Sequence, residues 1–146
     1  MDKRLFAVPL AVLLMTTAIA AVFQISLRGN GGTVDFVGED EFAWAKVHFT
    51  SYSRESQGQG GLSVIGSTDD GRRVLNLRFR QTSMEDSEDE LEAQGTFRGT
   101  YWKQGIGTQS VSGTLMYVYD KETGMTSVEG ISGFGLHIVD IPTVEL

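Results

Sequence analysis

Apolar and polar residues alternate along most of this chain with a period of two. Near its C-terminal end Val111, Gly113, Leu115, Tyr117 and Tyr119 share one parity, and Ser112, Thr114, Met116 and Val118 the other. Asp120-Lys121-Glu122-Thr123-Gly124 follows, and a second run then carries Val128, Phe134, Leu136 and Ile138 on even positions. Successive strand side chains point to opposite faces, and a polar loop with Gly at its left-handed corner suits a type I turn with a bulge. Residues 111–140 therefore read as a β-hairpin. Residues 73–80 form the cleanest half-buried strand, with Leu75, Leu77 and Phe79 alternating against Val74, Asn76, Arg78 and Arg80.

The same rule places further strands at residues 33–37, 62–65 and 93–103, the last with Phe97, Gly99 and Tyr101 opposed in parity to Arg98, Thr100 and Trp102. Residues 42–52 make another, whose apolar parity changes between Phe42 and Trp44 and Val47 and Phe49; a bulge near Ala45-Lys46, or two covered faces, would account for it. Residues 53–61 and 104–109 read as polar loops. Residues 84–92 read as a solvated loop or frayed helical turn, because Glu85, Asp86, Glu88, Asp89, Glu90 and Glu92 repel one another. About seven strands with mostly short turns, and no sustained helical period, predict an all-β antiparallel sandwich or up-and-down barrel.

The N-terminus breaks this pattern. Lys3 and Arg4 precede an apolar run over residues 5–19, and Ala18-Ile19-Ala20 has the small-x-small form of a cleavage site. Residues 1–20 thus read as a secretory signal peptide. The alternative keeps residues 5–27 as an uncharged membrane anchor with Lys3 and Arg4 cytoplasmic. Either way the domain is exported: to the periplasm, outside the cell, or as an outward-facing anchored domain. Residues 21–32, ending in Arg-Gly-Asn-Gly-Gly, read as a flexible tether, and residues 33–146 as a single β domain.

Composition narrows the partners. The chain has no cysteine, which excludes disulfides, thiolate metal sites, thiol catalysis and a lipid-bearing cysteine. Its formal net charge of −7 argues against nucleic acid or an anionic membrane surface as partner. A membrane role enters only if the N-terminal segment is retained.

Gly61-Leu62-Ser63-Val64-Ile65-Gly66, Leu75-Asn76-Leu77-Arg78-Phe79, Gly113-Thr114-Leu115 and Ile131-Ser132-Gly133-Phe134 resemble the strand order of small exported β domains of unknown function, mostly from Bacteroidota envelopes. The resemblance covers about residues 44–140. It implies a fold and a compartment but no activity, and the lipobox cysteine that many of those domains carry is missing here.

No catalytic motif emerges. His48 and His137 have no ligand spacing between them, no serine sits in a Gly-x-Ser-x-Gly elbow, and no strand-borne carboxylate stands out among apolar neighbours. Glu85, Asp86, Glu88 and Asp89 offer oxygens for calcium but lack the spacing and turn glycine of a calcium loop; no metal or cofactor is expected. Glu39-Asp40-Glu41 reads as a solvated edge or loop. Aromatics are more suggestive, since an exposed ring can stack on a sugar or peptide: Trp102, Trp44 and Tyr101 are the candidate ligand-binding residues, and Tyr117 and Tyr119 belong to the core or its rim. The expected function is an exported, non-enzymatic binding or interaction module with an unknown protein or carbohydrate partner and a possible homo-oligomeric state. The alternatives are a structural subunit of a fibre or envelope complex, docking by strand addition through residues 33–37, and more distantly a hydrolase.

Overall fold

The computed structural model describes residues 24–54 and 57–146. They form β1 (Gln24–Asn30), β2 (Thr33–Val34), β3 (Trp44–Arg54), β4 (Gln57–Thr68), β5 (Gly71–Asp86), β6 (Glu90–Lys103), β7 (Gly107–Asp120), β8 (Met125–Gly133) and β9 (His137–Glu145). From β3 to β9 each strand pairs antiparallel with the next. β1 pairs with β3 on one side and with β9 on the other, so the meander closes into an eight-stranded antiparallel barrel, not a sandwich. β2 is a short strand paired with β9 on the edge away from β8, the edge that β1 also uses. One inward-facing apolar parity runs through most of each long stave, changing in β5 past the bulge at Gln81/Ser83, so twist and coiling bring the first strand round to the last, and closure leaves no free edge.

Several expectations change. Gln24–Asn30 is a barrel stave and no tether: Ile25 and Leu27 are buried, and their apolar parity earns the segment its place. A helical anchor running to Leu27 is ruled out over its last four residues by the same strand, while residues 1–20 and their signal sequence lie outside the described residues. Most of the expected loop at 53–61 is strand, because Gly58 and Gly60 leave interior room for Gln81 and Phe79; a Cβ on Gly60 would lie 2.3 Å from Phe79 Cζ. Here packing overrides the low strand propensity of glycine. Glu85, Asp86, Glu90 and Glu92 continue β5 and β6, leaving only a short turn at 87–89. The run from Val128 to Ile138 is two strands, since the chain reverses at residues 134–136. The β3–β4 register is unbroken from Trp44–Ser67 to Arg54–Gln57, so there is no bulge at Ala45-Lys46; Phe42 reaches the core from the loop before β3.

The interior is filled with side chains. Phe49 packs against Phe79 and Tyr117 at ring distances of 6.2 and 5.3 Å, with Leu75, Leu115, Ile138 and Ile141 fully buried around them. No helix among the described residues is long and apolar enough to cross a membrane.

Candidate functional site

One mouth of the barrel is sealed by residues 35–43. The Asp35 and Val37 amides donate to His137 O and Gly135 O, and the Ala43 amide to Ser67 O, so the segment is tied down at both ends. Phe36 plugs the opening, edge-on to Phe42, Tyr101 and Phe134. Glu39 turns inward beneath it, with its side chain only 7% exposed. It meets Arg73 Nε at 3.1 Å and Lys103 Nζ at 3.2 Å, and Tyr101 Oη donates to it at 2.6 Å. Burial alone would raise the pKa of Glu39, but hydrogen bonds from Tyr101, Arg73 and Lys103 outweigh it and hold the carboxyl below its usual range. Tyr101 shifts upward, first through burial and then through its bond to Glu39. Of the acidic cluster, Glu39 is therefore a buried structural anchor and not part of a solvated edge.

Toward the opposite mouth lies a buried polar group. Ser51 Oγ and Tyr117 Oη are 2.7 Å apart, and Ser53 Oγ donates to Gln81 Oε1 at 2.7 Å. Gln81 Nε2 has no partner among the described residues. Burial raises the pKa of Tyr117, so its hydroxyl stays protonated and structural.

A concavity lies on the outside. An open trough of about 580 Å³ crosses β1, β3, β4 and β5 on the outer wall. One cross-strand row forms its axis: Arg28 stands opposite Thr50, Thr50 opposite Gly61, Gly61 opposite Arg78, and Arg78 opposite Arg98 just beyond it. His48, Tyr52, Gln59, Ser63 and Asn76 flank the row. Gly61 opens the floor. A Cβ there would meet nothing closer than 3.5 Å, and its φ is not left-handed; every other glycine of the chain has either a close neighbour or a positive φ. Asn30 Oδ1 accepts a hydrogen bond from His48 Nδ1 at 2.6 Å, which leaves Nε2 as the available ring nitrogen.

The charge on this wall runs against that of the chain. β1, β3 and β4 contain no Asp or Glu, and neither does β5 before Glu85. They carry Arg28, Lys46, His48, Arg54, Arg72, Arg78 and Arg80 outward. Arg28, Arg78, Arg80 and Arg98 make no ion pair among the described residues.

The candidate aromatics do not meet at one site. Tyr101 is an interior residue, 1% exposed, so it has no face for an external ligand. Its parity with Phe97 follows the inward set. Trp44 is 43% exposed at the start of β3, and Trp102 is half-buried on β6 opposite Val74; β4 and β5 separate them, and neither lines the trough. Of the calcium candidates, Glu85 and Asp86 end β5 while Glu88 and Asp89 occupy the turn. Asp86 is engaged by Lys121, and no group of three or more metal-ligating side chains forms among the described residues. Residues missed from sequence are Arg28, Gly61 and Arg78. The available signal was the outward parity of Arg78 and Arg80 in a strand whose inner face is apolar.

No protein-family model matches the chain, and neither does any curated protein or solved structure.

Proposed function

We propose that this chain is an exported, non-enzymatic binding module of the cell envelope that holds its ligand against the outer wall of the barrel. The observation that carries this reading is the trough floored by Gly61. Glycine in a strand interior weakens the strand by about 0.5–1 kcal/mol relative to Ala. At Gly61 no tight contact or left-handed φ offsets that. Close approach of a ligand to the backbone is a use that suits such a glycine. The filled interior argues against the lumen as the site, and the N-terminal sequence and the resemblance to exported β domains support the compartment.

One observation favours a second reading. Ser63 stands opposite His48, whose ring is oriented by Asn30, an arrangement a hydrolase could use. Against it, no hydrogen bond joins His48 to Ser63 among the described residues, and no Asp or Glu side chain lines the trough. Strand addition to a neighbour loses its means, since Thr33 and Val34 already pair with β9 of their own barrel.

Affinity electrophoresis through gels containing soluble polysaccharides, with reducing ends assayed in the same mixtures, separates the readings. Retardation of the wild type but not of Gly61→Tyr, without new reducing ends, is the expected result. Turnover that vanishes in His48→Ala would replace the binding module with a hydrolase.

A further inference from the structure

From the charge and chemistry of the trough, and resting on the reading of it as a binding site, we infer that its ligand is an acidic polysaccharide, a sugar chain bearing carboxylate or sulfate groups. Three independent features point to this class.

The first is unneutralised positive charge held at a cost. Arg78 and Arg98 stand directly opposite each other across β5 and β6, and like charges in that position repel. Arg28 lies in the same row on the far side of Gly61. The three guanidinium groups span on the order of 20 Å of wall at one strand spacing per step. None is paired among the described residues, whereas the buried Arg73 on the same strand is paired with Glu39. An anionic ligand relieves the repulsion, and guanidinium is the cation suited to bidentate contact with carboxylate or sulfate.

The second is the lining between the arginines. Thr50, Ser63, Gln59 and Asn76 supply hydroxyl and amide groups, which match the hydroxyls of a sugar, and the Tyr52 ring, 43% exposed, offers a flat apolar face. Of the large aliphatic side chains along the trough only Leu146 is exposed, and Leu27, Leu62 and Leu77 are buried in the core, so the cluster of apolar anchors that a protein partner would seek is missing.

The third is the surroundings. Carboxylates gather at the ends of the barrel, at Asp35 to Glu41, Asp69, Asp70 and Glu85 to Glu92. A rigid duplex or a flat anionic membrane laid on the wall would meet those ends, whereas a single chain lying within the concavity avoids them. The net charge of −7 is thus compatible with an anionic ligand, because the charge is segregated.

The test is fluorescence anisotropy with labelled polygalacturonate fragments, using the full chain, with folding of each variant verified by thermal unfolding. Binding is expected, weakened strongly at about 0.5 M salt where the screening length falls to a few ångströms. Arg78→Gln and Arg98→Gln should each weaken it about tenfold, as loss of a charge-assisted hydrogen bond implies. Gly61→Tyr should abolish it, while Arg72→Gln, which removes an equal charge outside the trough, should change it less than about twofold. Fully methyl-esterified fragments, the same sugar without the charge, should compete at least about tenfold more weakly. If the ester competes equally and Gly61→Tyr still blocks, the trough binds a neutral sugar: the present inference falls and the binding-module reading stands. If poly-L-glutamate or a thymidine oligonucleotide competes as well as polygalacturonate, the ligand is an acidic peptide or a single-stranded nucleic acid, and the polysaccharide inference falls. If no probe binds the wild type, or Gly61→Tyr leaves binding intact, both fall.

Discussion

Glu39 is one of three consecutive carboxylates, yet its side chain alone is drawn under the barrel mouth to meet Arg73, Lys103 and Tyr101. Removing one partner of a buried ion pair leaves the other charge uncompensated, so Glu39→Gln should destabilise the fold by roughly 3 kcal/mol in urea unfolding. A cost under about 0.5 kcal/mol, the range of an ordinary surface change, would show that the contact is solvated. The pH dependence follows from the direction of the shift. A carboxyl whose pKa is lowered on folding contributes stability above its unfolded value, near 4.3, and that contribution is lost as pH falls through the lower folded value. The stability that Glu39 contributes should therefore fall away progressively as pH drops below about 5, and Glu39→Gln should flatten that limb. Gly60 and Gly61 are adjacent but make opposite demands. A Cβ on Gly60 would collide with Thr50 O and Phe79, so Gly60→Ala should cost about 1–3 kcal/mol. Gly61→Ala meets only ordinary contacts and should be neutral or stabilising by up to about 1 kcal/mol. Equal effects at the two positions in thermal unfolding would remove the argument that Gly61 is kept for a ligand.

At the level of elements, the alternation in residues 73–80, 93–103 and 111–119 was legible because each lies in a stave with one buried face. Elsewhere the signal failed for identifiable reasons. β1 was hidden by Arg28-Gly29-Asn30-Gly31-Gly32, whose glycines mask the buried parity of Ile25 and Leu27. The first turns of β4 were hidden because Gly58 and Gly60 take part in packing by lacking a side chain. Like-charge repulsion in the acidic run was overridden by pairing of Glu85 with Glu92 and Asp86 with Leu91 in the β5–β6 ladder. Leu27 offers a direct check. As part of a tether its truncation would be silent, whereas as a barrel residue 2% exposed Leu27→Ala should cost about 2–5 kcal/mol. The seam that β1 closes is short, with three register pairs from Leu27–Glu145 to Gly29–Thr143. Amide hydrogen exchange there should precede exchange in β5 and β6, and uniform protection around the barrel would contradict that order.

For the whole molecule, all-β architecture follows from the sequence pattern, but closure does not, because it depends on β1 reaching β9. The candidate site was harder still to see. Trp44 and Trp102 attract notice as large aromatics, yet β4 and β5 keep them apart, and Tyr101 serves the interior. The trough is assembled from residues of four strands, and its central position is marked by the absence of a side chain. The net charge conceals it as well, since most of the acids gather toward the barrel ends while the wall of β1, β3, β4 and β5 carries outward arginines and no acid before Glu85. The proposal at this scale is that a barrel with a filled interior and a basic outer wall holds its ligand outside. Backbone amide shift mapping by NMR, on titration with a short galacturonate oligomer, tests it most directly. The largest shifts are expected at Arg28, Thr50, Gly61 and Arg78, with the interior residues Tyr117 and Gln81 unmoved. Shifts gathered at Phe36, Glu39 and Phe134, or at Tyr117 and Gln81, would place the ligand at a mouth or in the lumen and contradict it.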